Sequence, residues 1–133
     1  MERILVAYDG SAPAKRALDQ AAELARVFGA SVTIITVVPE HLGLSATIDP
    51  FDDETVHARQ LEEAKAHLEG LGLATETIMS RGDPARTIEH VAGDGYDTVV
   101  IGSRGRGASS RILLGSVSAH VATHTKGTVL IVH

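Results

Sequence analysis

Residues 102–116 read GSRGRGASSRILLGS, with four glycines, four serines and three arginines in fifteen positions. The stretch directly follows the apolar run TVVI at 98–101. This combination suits a phosphate-bearing anion. Gly102, Gly105 and Gly115 let main-chain N–H groups approach an anion without interference from a Cβ. Arg104, Arg106 and Arg111 offer charge-assisted bonds, which are about twice as strong as neutral ones. Ser116 adds a hydroxyl donor, and Ser103 lies in the same loop. Gly115-Ser116 also falls near the expected start of a helix, where an anion meets free N–H groups and the positive end of the helix dipole. The plainer alternative is a flexible loop that only caps a helix.

Charge is distributed to match. The 133-residue chain carries a net −5, yet no acidic residue follows Asp97. The last 36 residues, with Arg104, Arg106, Arg111 and Lys126, carry +4, and the first 97 carry −9. A cationic segment on an acidic protein points to a local anion site. The overall charge argues against nucleic acid as a partner. The absence of cysteine excludes disulfides and thiolate metal sites and fits a reducing, cytoplasmic setting. MERILVAYDG lacks an apolar signal-peptide core, and no apolar run approaches the ~20 residues of a membrane span.

The elements that must position the loop are legible as apolar patterns. Five β-branched runs stand out: ILVAY (4–8), SVTIITVV (31–38), ATETIM (74–79), TVVI (98–101) and TVLIV (128–132). All but the third are nearly continuous, as strands buried on both faces should be. The alternating third run suits a sheet edge. Between them lie helical periods. The first helix carries Ala14, Ala17, Leu18, Ala21, Leu24, Ala25 and Phe28, with Ser11 as N-cap, Pro13 in its first turn and Gly29 as its stop. The second spans about Asp53–Glu69 with Val56, Leu61, Ala64 and Leu68 inward. The third runs from Pro84, capped by Asp83, to near Gly93. The fourth starts near Leu113 or Gly115 with Leu114, Val117 and Val121 inward. Strands alternating with helices predict one 1–133 domain, an α/β fold with an open five-stranded parallel sheet of order 3-2-1-4-5 and helices on both faces.

Ligands of open α/β sheets bind at the carboxyl ends of strands where the order reverses. In this order the switch lies between the first and fourth strands. The first strand ends at Asp9-Gly10-Ser11 and the fourth at Gly102, so two separate features converge on one crevice. The standard nucleotide loops do not fit. Ala108 stands where a P-loop needs Lys, and Ser110 stands where GxGxxG needs its third glycine.

The spacing Gly102-x₂-Gly105-x₉-Gly115-Ser116 resembles the nucleotide-binding signature of the universal stress protein family, G-x₂-G-x₉-G-[S/T]. ILVAYDGS, RGDPARTI, IGSRGRG and LLGSVSAHV resemble the family's opening strand, third-helix turn and two signature halves, in that order along the whole chain. The resemblance implies a Rossmann-like, adenine nucleotide α-hydrolase-like domain, cytoplasmic and usually homodimeric, that binds ATP, with or without Mg²⁺. It places Asp9 beside the adenosine portion and Val37 main-chain groups on adenine, with Ala7 lining the same pocket. Gly102 and Gly105 wrap the ribose and phosphates, and Gly115, Ser116 and Val117 hold the phosphates. Thr128 replaces a frequent Pro before the last strand, and Thr36 replaces a frequent His before Val37. Neither position belongs to the signature.

Other readings are weaker. Asp9 as a phospho-acceptor lacks an acidic cluster after the first strand, an Asp at the end of the third, where Ser80-Arg81 stand, and a Lys after the last strand. His120 and His124 have metal spacing on a helix but no third ligand. Asp49, Asp52, Asp53 and Glu54 lack the EF-hand pattern. The last strand, TVLIV at 128–132, is an apolar edge without Pro or charge, which invites pairing with a second copy. The expected function is a nucleotide-responsive dimer in stress signalling, with room for an unidentified protein partner. A slow ATPase or phosphotransferase, or a dimeric interaction module without nucleotide, are the alternatives.

Overall fold

The computed structural model describes residues 1–40, 54–104 and 115–133. The apolar runs form strands β1 (Arg3–Ala7), β2 (Ser31–Pro39), β3 (Thr75–Gly82), β4 (Thr98–Gly102) and β5 (Thr128–Val132). The helical periods form α1 (Ala12–Phe28), α2 (Glu54–Gly70), α3 (Pro84–Ala92) and α4 (Ser116–His124). The strands pair in parallel in the order β3-β2-β1-β4-β5, as the sequence predicts.

Alternation along each strand sorts its side chains onto two layers. Ile4, Val6, Val32, Ile34 and Val100 pack beneath α1 and α2 with Leu18, Leu61 and Leu68. Leu5, Ala7, Ile35, Val99 and Ile101 pack beneath α3 and α4 with Ile88 and Val121. Fully burying each Val, Leu or Ile contributes about 1.5–3 kcal/mol. Both faces of β1 and β4 are therefore committed to the core, and ligand access is left to the strand ends.

Local signals set the helix starts. The Ser11 hydroxyl accepts from the Ala14 N–H at 3.2 Å, and the Asp83 carboxylate accepts from the Arg86 N–H at 2.9 Å. Three elements differ from expectation. On α1 the buried face ends at Ala25, and Phe28 is 56% exposed at the last turn. β3 continues to Gly82, because its main chain pairs residue for residue with β2 from Val32↔Thr75 to Pro39↔Gly82. At an edge, polar side chains such as Ser80 and Arg81 do not oppose that pairing. On α2 the buried stripe is His57, Leu61, Ala64 and Leu68, and Val56 lies off it. Spacings of four, three and four residues define this stripe, and His57 occupies its first place.

Asp97 ties the start of β4 to the start of β1. One carboxylate oxygen accepts from the Glu2 and Arg3 N–H groups at 2.7 and 2.9 Å, and the other accepts from the Thr98 hydroxyl at 2.8 Å. The bonds to the Arg3 and Glu2 main chain, then Thr98, hold its carboxyl below the usual carboxylate range. A lowered folded-state pKa stabilises the protein above the ordinary value, and this contribution is lost as pH falls through the folded value. Asp97→Asn is expected to lower Tm at neutral pH by about 4 °C, the scale of roughly 1 kcal/mol for an exposed site. The gap between the two proteins should close in acid, as melting curves across pH will show. A gap that persists unchanged in acid would contradict the assigned role.

Candidate functional site

The candidate site lies at the carboxyl ends of β1, β2 and β4, where the strand order reverses. Beyond β1 the chain turns at Asp9-Gly10-Ser11. Asp9 Oδ1 accepts from the Ser11 N–H at 2.9 Å, and Gly10 takes φ +80°, a left-handed conformation that glycine adopts without strain. The Tyr8 N–H donates to the Ile35 carbonyl at 2.9 Å, and the buried Thr36 hydroxyl donates to the Tyr8 carbonyl. The ends of β1 and β2 are thereby locked together. Ala7 is buried, and half-buried Val37 packs against the same cluster. Burial, then Glu63, Asp9 and Asp19, raise the Tyr8 phenol above its ordinary range, so it stays neutral and protonated.

Gly102 has a role that the sequence reading did not identify. A Cβ there would lie 2.8 Å from the Pro13 carbonyl carbon and 2.9 Å from the Ala14 nitrogen. The end of β4 thus lies directly against the first turn of α1. This close approach brings the Asp9–Ser11 turn and the 102–104 segment to one crevice, as the switch-point argument requires.

The two ends of the Gly-rich stretch also meet. The Ser103 N–H donates to the Val132 carbonyl at 2.7 Å, and the Gly115 N–H donates to the Ser103 carbonyl at 2.6 Å. The Ser118 hydroxyl donates to the Ser103 carbonyl at 2.7 Å and lies 3.1 Å from the Gly115 carbonyl. Ser103 and Ser118 are almost fully buried, and their hydrogen bonds hold this junction together. Ser118 was not among the residues expected from the sequence. Its signal is helical spacing, since it lies three residues before the buried Val121. Arg104 is half-buried beside the junction. Gly105, Arg106 and Arg111 lie outside the described residues, as does Leu114.

α4 opens at Gly115 with φ −74° and ψ 163°, and among the described residues no side chain caps it. Its first internal bond runs from the Ala119 N–H to the Gly115 carbonyl at 3.0 Å. The Gly115 N–H is already engaged by Ser103. The N–H groups offered by the helix start are therefore those from Ser116 and Val117 onward, with the exposed Ser116 side chain beside them. No acidic residue occupies the first turn of α4 to oppose an anion.

A cavity of about 800 Å³ opens at the other pole of the sheet, lined in part by Arg86, His90, Tyr96, His124 and Lys126. It faces the C-terminal ends of α3 and α4, whose carbonyl dipoles disfavour anions. The crevice at the switch point is therefore the candidate site for an anionic ligand.

Fold and crevice together define a Rossmann-like α/β protein with its loop cluster at the β1/β4 switch. Within that class, the model of the Universal stress protein family matches residues 1–133, and the chain belongs to this family. It is similar to the universal stress protein YxiE of Bacillus subtilis, at 35% identity over 149 residues, covering 98% of this chain and 97% of the relative. A universal stress protein from Archaeoglobus fulgidus, solved in complex with dAMP, superposes with a TM-score of 0.76 at 25% identity, covering 100% of this chain and 98% of its own. Another universal stress protein, solved in complex with cAMP, superposes with a TM-score of 0.77 at 28% identity, covering 99% and 97%. Among the described residues, no helix is long and apolar enough to cross a membrane.

Proposed function

We propose that this protein binds ATP in the crevice between β1 and β4 and acts in the cytoplasm as a nucleotide-responsive homodimer in stress signalling. The observation that carries the reading is the uncapped start of α4, joined by Ser103 to the end of β4 at the switch point. Related proteins of this fold were solved with dAMP and cAMP, which supports an adenine nucleotide as ligand. In this reading Ala7 and Val37 receive the base and Asp9 lies beside the adenosine. Ser116 and Val117 donate to phosphate, while Ser103, Gly105, Arg104 and Arg106 complete the loop around it. Gly115 shapes the entry, with its own N–H spent on Ser103. Mg²⁺ would enter with the phosphates, neutralising charge that the arginines leave uncompensated.

The dimer reading rests on β5. It forms an edge of the sheet, and its Val129, Leu130, Ile131 and Val132 are only partly covered. Pairing with the same strand of a second copy would satisfy the free edge groups and cover these side chains. A ligand changes the state of such a dimer only through different affinities for two conformations.

Arg104→Ala tests the placement of phosphate. A charge-assisted bond is worth about 1.5–3 kcal/mol, so ATP affinity is expected to fall about ten-fold or more, with adenosine affinity unchanged. Calorimetric titration with both ligands distinguishes them. Equal weakening of ATP and adenosine would remove Arg104 from the phosphate subsite.

A further inference from the structure

Gln60 on α2 places its carboxamide against the β1–α1 turn. A Cβ built on Gly10 would lie 2.7 Å from Gln60 Nε2, 2.8 Å from Cδ and 3.0 Å from Oε1. Three nearly equal distances mean that the amide plane lies face-on over Gly10. Gly10 directly follows Asp9, whose carboxylate organises the same turn. Gln60 therefore brings a second carbonyl-type acceptor to within one residue of Asp9. Its Oε1 is buried and has no hydrogen-bond partner among the described residues. A buried acceptor without a donor is penalised, so a ligand hydroxyl that reaches it as the side chain opens to the crevice removes that penalty as well as adding a bond.

The position also says which part of a nucleotide it meets. In the nucleotide reading Ala7 and Val37 receive the base; Ala7 belongs to the core beneath α3 and α4 and Val37 packs against it, so the base lies on that side of the crevice. Gln60 approaches from α2, on the opposite face of the sheet, and touches the turn beyond Asp9. Two neighbouring acceptors suit two neighbouring donors. In an adenine nucleotide, the neighbouring donors next to the base are the ribose 2′- and 3′-hydroxyls.

We propose that Gln60, together with Asp9, accepts hydrogen bonds from the ribose diol and makes the site selective for ribonucleotides over 2′-deoxyribonucleotides. This inference rests on the nucleotide reading above. The test compares calorimetric affinities for ATP and 2′-deoxy-ATP in the full chain, in Gln60→Met and in Gln60→Glu. Met keeps the length and apolar stem but has no comparable acceptor, whereas Glu keeps the acceptor. The unaltered protein is expected to prefer ATP by about five- to ten-fold, the size of one neutral hydrogen bond. The ratio should fall to about one in Gln60→Met and be retained in Gln60→Glu, which also controls for folding. An equal ratio in the unaltered protein and Gln60→Met overturns the role of Gln60 and leaves the nucleotide reading standing. Failure of the unaltered protein to bind either nucleotide overturns both.

Discussion

Gly115→Val is expected to lower ATP affinity at least about 100-fold with the fold retained. Gly115 sits at φ −74° and ψ 163°, extended backbone that valine adopts freely. Its N–H can still donate to Ser103, so the junction between β4 and α4 survives. As N-cap it supplies no side-chain bond to lose. The added isopropyl group stands at the mouth of α4 and keeps phosphate from the Ser116 and Val117 N–H groups. Losing two charge-assisted bonds, each worth about 1.5–3 kcal/mol, removes two decades of affinity or more. Titration calorimetry gives the affinity, and a melting curve reports the fold. Affinity within three-fold of the unaltered protein would place phosphate elsewhere.

Gly102→Ala is expected to act on stability first and on binding only as a consequence. The added methyl would fall within 2.9 Å of main-chain atoms of Pro13 and Ala14. Backbone at a helix start cannot turn aside as a flexible side chain can. Either α1 lifts from the sheet or β4 is displaced. Overpacking of this kind costs about 1–3 kcal/mol and occasionally more, which corresponds to a Tm loss near 10 °C for a chain of this size. Gly102→Val should be worse, because its branched side chain meets the same wall. A Tm unchanged in Gly102→Ala would show that α1 is not held against β4 as described.

Much of the fold was readable because it depends on local pattern. The continuous apolar runs of β1, β2 and β4 mark strands buried on both faces, and Ser11, Asp83 and Gly29 mark helix ends through bonds made within a few residues. The order of strands and the location of the crevice follow from these elements. What escaped the sequence depends on contacts between distant segments. Gly102 reads locally as an opening for phosphate, but its contact with Pro13 exists only once β4 lies beside α1. Gly115 reads as a phosphate donor, but its N–H is taken by Ser103, twelve residues earlier. Hydropathy favours Val56 over His57, and only the phase at which α2 packs on the sheet puts His57 on the buried stripe. Gln60 carries no motif, and its meaning comes from the turn that it covers.

The central claim is that the switch-point crevice binds an adenine nucleotide. The direct measurement is calorimetric titration of the purified protein with ATP in the presence of magnesium. The account predicts saturable binding with a Kd in the micromolar range, equivalent to about −8 kcal/mol. The absence of saturable binding, together with a Tm unmoved by excess ATP, would contradict it.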